Sequence, residues 1–171
     1  LQRSKSVSGA TPLYDMLLSL TASADDPISG GRHKVLGSKK AFVPPQTSTI
    51  ASHLPKAVGA AFAIPRAWSL GLPMEVPAEA VVICSFGDAS ANHSTALGAF
   101  NTAEWISYQG GPLPLVFVCE DNGIGISVRT PGRWIENAFS RRPVLEYFQC
   151  DGLDLLDTYR AARAAGAYAR E

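Results

Sequence analysis

Two polar groups stand where two apolar runs stop. AVVICSF, Ala80 to Phe86, ends at Gly87 and Asp88, and LVFVC, Leu115 to Cys119, ends at Glu120, Asp121 and Asn122. Asp88 offers an anionic oxygen and Asn122 a neutral one, both of them hard donors. Such a pair suits Mg2+, which takes one or two carboxylates and completes its octahedron with carbonyls, water and phosphate oxygens. Ala89, Ser90 and Ala91 follow Asp88 and fill little space. A diphosphate could therefore approach the backbone amides at the start of the next helix. Taken singly, a Gly-Asp after a strand is a turn with an Asp cap, and an Asp-Asn-Gly is a turn. The two together, each after an apolar run and joined by one helix, point to a shared site.

The elements that must position these residues read as follows. AVVICSF and LVFVC are short, rich in β-branched residues and apolar on both faces, which predicts buried parallel strands. HSTALGAFNTAEWIS joins them as a helix, with Ala96, Phe100, Ala103 and Ile106 facing inward. Before them, Pro55 suits a first helical turn, with Ser52 or His53 as cap. Leu54, Val58, Ala61 and Ile64 recur at helical spacing, and Pro65 is predicted to end that helix. LEYFQC is read as a third strand, and Asp151 to Glu171 as a final helix with Leu155, Tyr159 and Ala162 on one face. TPLYDMLLSL predicts a short helix. SADDPISGGRHKVLGSKK reads as an extended surface loop with Gly30, Gly31 and Gly37 as flexible points. The order predicts an α/β protein: an open, mostly parallel sheet with helices on both faces and ligands beyond the carboxyl ends of its strands. Residues 1–46 form an N-terminal helix and loop region. Residues 47–171 form the α/β domain, expected to be truncated at its C-terminus.

Composition narrows the function. The chain of 171 residues carries 15 basic and 15 acidic side chains and no formal net charge. Nucleic-acid binding and polybasic membrane attachment draw on a strong positive field and are not expected. No apolar run approaches the ~20 residues of a membrane span. The opening LQRSKSVSGATP lacks the apolar centre of a signal peptide, so it reads as a cut or processed end. Cys84, Cys119 and Cys150 form no CxxC pair and read as small buried hydrophobes in a reducing compartment, here the cytoplasm.

GDAS followed by EDNGIGIS resembles the thiamine diphosphate fingerprint, usually Gly-Asp-Gly, a spacer, then Asn-Asn. TSTIASHLPKAVGAAFA and FNTAEWISYQGGPLPLVFVCEDNGIGIS are similar to the alpha subunit of the decarboxylating component of 2-oxo acid dehydrogenases, branched-chain and pyruvate types. The likeness covers roughly residues 47–131, with the tail fitting the next strand and helix. It implies the thiamine diphosphate-binding fold and a set of roles. Asp88, Asn122 and the Ile124 carbonyl would hold Mg2+. Gly87, Ala89 and Ser90 would line the diphosphate. Ser48, Ile50, Gly125 and Ile126 would touch the aminopyrimidine or hold the cofactor's bent shape. A structural K+ would involve Thr47, Thr49, Ser52 and His53, with a histidine where an amide is usual.

The same resemblance implies oxidative decarboxylation of a 2-oxo acid with acyl transfer to a lipoyl group. It implies a beta-type subunit or domain that supplies the essential glutamate, a lipoyl-bearing acyltransferase partner, and a homo- or hetero-oligomer. No glutamate here matches the essential one, and the family's alpha subunit continues further, to a loop with an active-site histidine. The chain is therefore expected to be a fragment carrying the diphosphate half of a shared site, inactive alone. Ala89 and Asp121 depart from the fingerprint, the spacer is longer than usual by a few residues, and Asp121 and Glu120 add negative charge that should point away or pair.

His53 is an active-site or a structural residue, and the catalytic candidate of this chain. His93 is expected to cap a helix or meet solvent, and His33 with Lys34, Lys39 and Lys40 to form a solvated basic loop. Trp68, Trp105 and Trp134 read as packing or interface residues, and Arg129 as a substrate or surface group. Competing functions are another thiamine enzyme, transketolase-like or acetoin-cleaving, and a non-catalytic truncated assembly domain. A nicotinamide domain ranks behind these, since no GxGxxG follows a strand.

Overall fold

A computed structural model describes residues 12–171. The chain divides into two compact units, Leu1–Ile50 and Ala51–Glu171.

In the first unit, α1 (Pro12–Leu20) precedes an antiparallel pair, β1 (Leu36–Ser38) and β2 (Val43–Gln46). The segment expected as an extended loop is instead a compact turn that leads into β1. Asp26 organises it. Its buried carboxylate accepts from the backbone N–H groups of Ile28 (3.0 Å), Ser29 (3.3 Å) and Gly31 (3.4 Å) and from the Ser29 hydroxyl (2.6 Å). Gly31 is not a flexible point. Its φ is +73°, and an added Cβ would lie 2.4 Å from the Ala22 carbonyl oxygen, so only glycine fits.

The second unit is built on a parallel βαβ unit. Strand β3 (Val82–Gly87) pairs with β4 (Leu115–Glu120) in continuous register, Val82 opposite Leu115 through Gly87 opposite Glu120. A 3-10 turn, Asp88–Asn92, leaves β3, and α3 (Ser94–Tyr108) makes the crossover. His93 caps α3 as expected, its Nδ1 accepting from the Thr95 N–H at 3.1 Å. The preceding helix α2 (His53–Ser69) and α3 pack together on one face of the pair. Leu54, Ala57 and Val58 meet Cys84, Phe86, Ala96, Ala99, Phe100 and Ala103 there. Small residues at 57, 96, 99 and 103 let the helices approach closely. Phe100 fills the centre, with ring centroids 5.5 Å from Phe86, 4.8 Å from Phe117 and 4.8 Å from Phe139. Of the inward positions predicted for α3, Ala96, Phe100 and Ala103 are buried and Ile106 is half-buried, while Ala99 is a further buried position.

Several expectations need correction. Strand β3 is not buried on both faces: Cys84 and Phe86 point into the core, while Ile83 is 71% exposed, because both helices cover the same side. Pro65 does not end α2, which runs on to Ser69. Ile64 is buried just before Pro65, and the Trp68 indole donates to the Val76 carbonyl at 3.1 Å just after it, so packing outweighs the missing N–H. LEYFQC is not a strand: residues 145–150 take no regular structure. Finally, α5 (Leu155–Tyr168) forms, capped by Asp154, but buries none of its residues, and Leu155 is 81% exposed. Cys150 is exposed too, whereas Cys84 is buried and Cys119 half-buried, all three free. The sheet that carries the site is thus, among the described residues, a two-stranded parallel pair in an α/β arrangement, followed by the short hairpin β5 (Ile124–Gly125) and β6 (Val128–Arg129) and by α4 (Trp134–Phe139).

Candidate functional site

Parallel pairing ends β3 and β4 side by side, with Gly87 level with Glu120. The chain beyond each strand therefore leaves from the same edge, as ligand loops of open α/β sheets do. Asp88 is the first residue of the turn after β3. It is only 2% exposed, and its Oδ2 is buried with no hydrogen-bond partner. A carboxylate oxygen so placed is costly unless a cation or donor meets it. Ala89 and Ser90 continue the turn, and Ala91 is buried beneath it.

The second loop folds back on this turn. Asn122 Oδ1 accepts from the Ile124 N–H at 3.0 Å, and the Asn122 N–H donates to the Glu120 carbonyl at 3.2 Å. Gly123, with φ +73°, turns the chain into the β5–β6 hairpin. There Gly125 packs on the 3-10 turn so closely that an added Cβ would lie 2.7 Å from the Ala89 Cβ. The Asp88–Ser90 turn and the Ile124–Gly125 strand are thereby brought together. An amide oxygen has two lone pairs, so Asn122 Oδ1 keeps one beyond its bond to Ile124. Ile126 sits at the hairpin tip with φ 59° and is 93% exposed. A β-branched residue in that conformation is strained, at a cost of order 1–3 kcal/mol.

His53 begins α2, and its Nε2 lies 2.9 Å from the Ser85 carbonyl oxygen, so this nitrogen carries the proton and donates. It has no lone pair left for a metal, which removes that nitrogen from the K+ set the resemblance implies. The chain enters α2 through Ala51, which is left-handed at φ 60° and fully buried. Ser52 occupies the cap position but makes no capping hydrogen bond. Ser48 and Ile50, with Thr47 and Thr49, belong to the first unit and are exposed there. Arg129 is exposed on β6.

The charge flagged at Glu120 is engaged: its Oε1 accepts from the Ser85 hydroxyl at 2.8 Å. Ser85 is a residue that sequence reasoning missed. Its only signal is its place on the face of β3 opposite Cys84 and Phe86. Burial pushes the Cys119 thiol up to about 12, with Asp121, Asp88 and Glu120 adding to it, and burial raises Cys84 to about 11. Neither thiol is a nucleophile at neutral pH. Among the described residues no cluster of three or more His, Cys, Asp or Glu could hold a metal. A cation at this edge would take one carboxylate with neutral oxygens, the hard-donor set that Asp88, Asn122 and the Ile124 carbonyl provide.

A parallel βαβ unit, with a buried aspartate whose Oδ2 has no partner and a small-residue turn at its carboxyl edge, defines an α/β protein with a candidate ligand site at that edge. Residues 3–171 match the family model described as "Dehydrogenase E1 component", and the chain belongs to that family. It is 28% identical over 158 residues to the mitochondrial 2-oxoisovalerate dehydrogenase subunit alpha of Mus musculus, covering 90% of this chain and 33% of that protein. The Homo sapiens protein of the same name is 31% identical over 122 residues, 70% of this chain and 24% of its own length. The alpha subunit, somatic form, of the mitochondrial pyruvate dehydrogenase E1 component of Sus scrofa is 33% identical over 93 residues, 53% of this chain and 22% of its own length. The chain thus spans a third or less of the relatives it matches. No helix among the described residues is long and apolar enough to cross a membrane.

Proposed function

We propose that this chain carries the diphosphate half of a thiamine diphosphate site in the decarboxylating component of a 2-oxo acid dehydrogenase complex, with a branched-chain 2-oxo acid or pyruvate as substrate. The observation that carries the reading is the buried Asp88 oxygen without a partner, at the carboxyl end of a parallel strand. Asp88, Asn122 and the Ile124 carbonyl would hold Mg2+. Gly87, Ala89 and Ser90 would pass beside the diphosphate, and Gly125 and Ile126 would meet the organic ring. When bound, thiamine diphosphate supplies the electron sink that lets a 2-oxo acid lose carbon dioxide.

This chain's residues bind and orient. Asp88 neutralises a cation that in turn holds the anion. The bare turn at Ala89 leaves backbone groups open to phosphate oxygens. The strained Ile126 is presented outward at the tip of the hairpin. The carboxylate that activates the cofactor is assigned, on the resemblance, to a beta-type subunit or domain. The acyl acceptor is assigned to a lipoyl-bearing acyltransferase. We also propose that β3 and β4 belong to a larger open parallel sheet with helices on both faces, which would cover Ile83. A cytoplasmic location, in keeping with three free thiols, is checked by cell fractionation.

Calorimetry on the full-length protein tests the site. Thiamine diphosphate should bind only with Mg2+, and Asp88→Ala with Asn122→Ala should abolish binding. Unchanged binding in that double variant would sink the proposal.

A further inference from the structure

Four hydrogen bonds run in series from the first residue of α2 to the loop after β4. His53 Nε2 donates to the Ser85 carbonyl (2.9 Å), and the Ser85 hydroxyl donates to Glu120 Oε1 (2.8 Å). The Asn122 N–H donates to the Glu120 carbonyl (3.2 Å), and the Ile124 N–H donates to Asn122 Oδ1 (3.0 Å). Ser85 and Glu120 are 35 residues apart in sequence and His53 and Ser85 are 32 apart, so neither bond is a by-product of local folding. In β3–β4 register Ser85 stands opposite Val118, one side chain short of Glu120 on the same face. The serine therefore reaches diagonally along the strand direction to the last residue of β4.

We propose that Ser85 is a positioning residue for the cation loop. Its carbonyl is held by α2, its hydroxyl holds Glu120, and Glu120 in turn fixes where Asn122 and Ile124 leave the sheet. His53 acts at the other end of the same chain, as an anchor rather than a catalytic group, because its Nε2 is committed to a backbone carbonyl. The arrangement also explains a glutamate beside a site meant for a diphosphate. The Glu120 carboxylate is turned to the Ser85 hydroxyl on the sheet face, where it serves as an acceptor. The loop is thus ordered before any cofactor arrives, and less of the binding energy is spent on ordering it.

The inference rests on the function proposed above, and the experiment separates the two. In the full-length protein without cofactor, Ser85→Ala should raise amide exchange across residues 120–125, and Glu120→Ala should do the same. Glu120→Gln, which keeps an acceptor oxygen, should exchange like the parent. With cofactor, Ser85→Ala should raise the thiamine diphosphate concentration for half-saturation at fixed Mg2+ roughly two- to tenfold, the worth of one hydrogen bond. The rate at saturation should stay within about twofold, and Ser85→Ala with Glu120→Ala should be no worse than either alone. Removal of a negative charge alone predicts the reverse, with Glu120→Gln and Glu120→Ala both tightening binding alike. Unchanged exchange at 120–125 in Ser85→Ala, or identical behaviour of Glu120→Gln and Glu120→Ala, overturns the inference. Failure of the parent protein to bind thiamine diphosphate at all overturns the functional reading, while the cofactor-free exchange still decides the role of Ser85.

Discussion

Asp88→Asn is expected to make the chain more stable and less able to bind. The carboxylate is shielded from water, and Oδ2 meets no donor. A buried polar group left unpaired costs about 1–3 kcal/mol, and more when charged. Asparagine keeps the volume and removes the charge, but its amide nitrogen would stand in the same unpartnered place, so the gain is partial, about 1–2 kcal/mol. For a chain of 171 residues each kcal/mol moves the melting temperature by about 2–4 °C, so the variant should melt roughly 2–8 °C higher in EDTA. Mg2+ with thiamine diphosphate at a hundredfold excess over Kd stabilises the parent by about 2.7 kcal/mol, and the variant should lose most of that. The two melting curves should therefore exchange order between EDTA and the loaded condition. Circular dichroism melts of parent and variant in both buffers measure this. A variant that melts below the parent in EDTA would refute the reasoning, because the carboxylate would then be contributing to the fold through its buried position.

Phe100→Ala should cost about 3–5 kcal/mol in a denaturant titration, since the ring is buried and meets three other aromatic rings. Asp26 gives a pH signature in the first unit. The Ser29 hydroxyl first, then the Ile28 N–H, hold its carboxyl below the ordinary value of 3.8. The folded form is therefore favoured above the unfolded value, and that contribution fades as the pH falls through the depressed one. Asp26→Asn should flatten the acid dependence of amide exchange over residues 22–33. Thiol labelling of the native chain at pH 8 should modify Cys150 quickly and Cys84 and Cys119 only after unfolding, because burial pushes Cys84 to about 11 and Cys119 to about 12.

The positions of the strands and helices near the site were legible because they depend on local pattern. β-branched runs bounded by turn residues gave β3 and β4, and small inward residues at helical spacing gave α3. The errors fall where a neighbour decides. Ile83 reads as buried because a parallel strand usually has two covered faces, yet cover on its second face is a tertiary fact that no residue of β3 encodes. LEYFQC has strand composition but lies in no ladder here, and composition cannot supply a pairing partner. Pro65 breaks helices on average, while the burial of Ile64 and the anchored Trp68 carry α2 through it. The Asp26 turn escaped notice because its order comes from one carboxylate meeting four donors, not from periodicity. At the site, Asp88 and Asn122 could be picked out because their type and spacing are chemical. Ser85 could not, since a serine on an exposed strand face carries no signal until its partner is known.

The departure of Ala89 from the usual glycine raised the alternative of a degenerate, non-catalytic domain, and the geometry bears on it. Ala89 and Gly125 face each other across the site, and a Cβ at position 125 would lie 2.7 Å from the Ala89 Cβ. Real Cβ atoms do not approach so closely, so only one of the two positions can carry a methyl group. Ala89 carries the methyl on the 3-10 turn and position 125 is bare, which lets the hairpin approach the Asp88 turn. The weak point of the site is Gly125 rather than Ala89. A methyl there has only backbone and another Cβ to push against, and the hairpin that carries Ile124 would have to withdraw from Asp88.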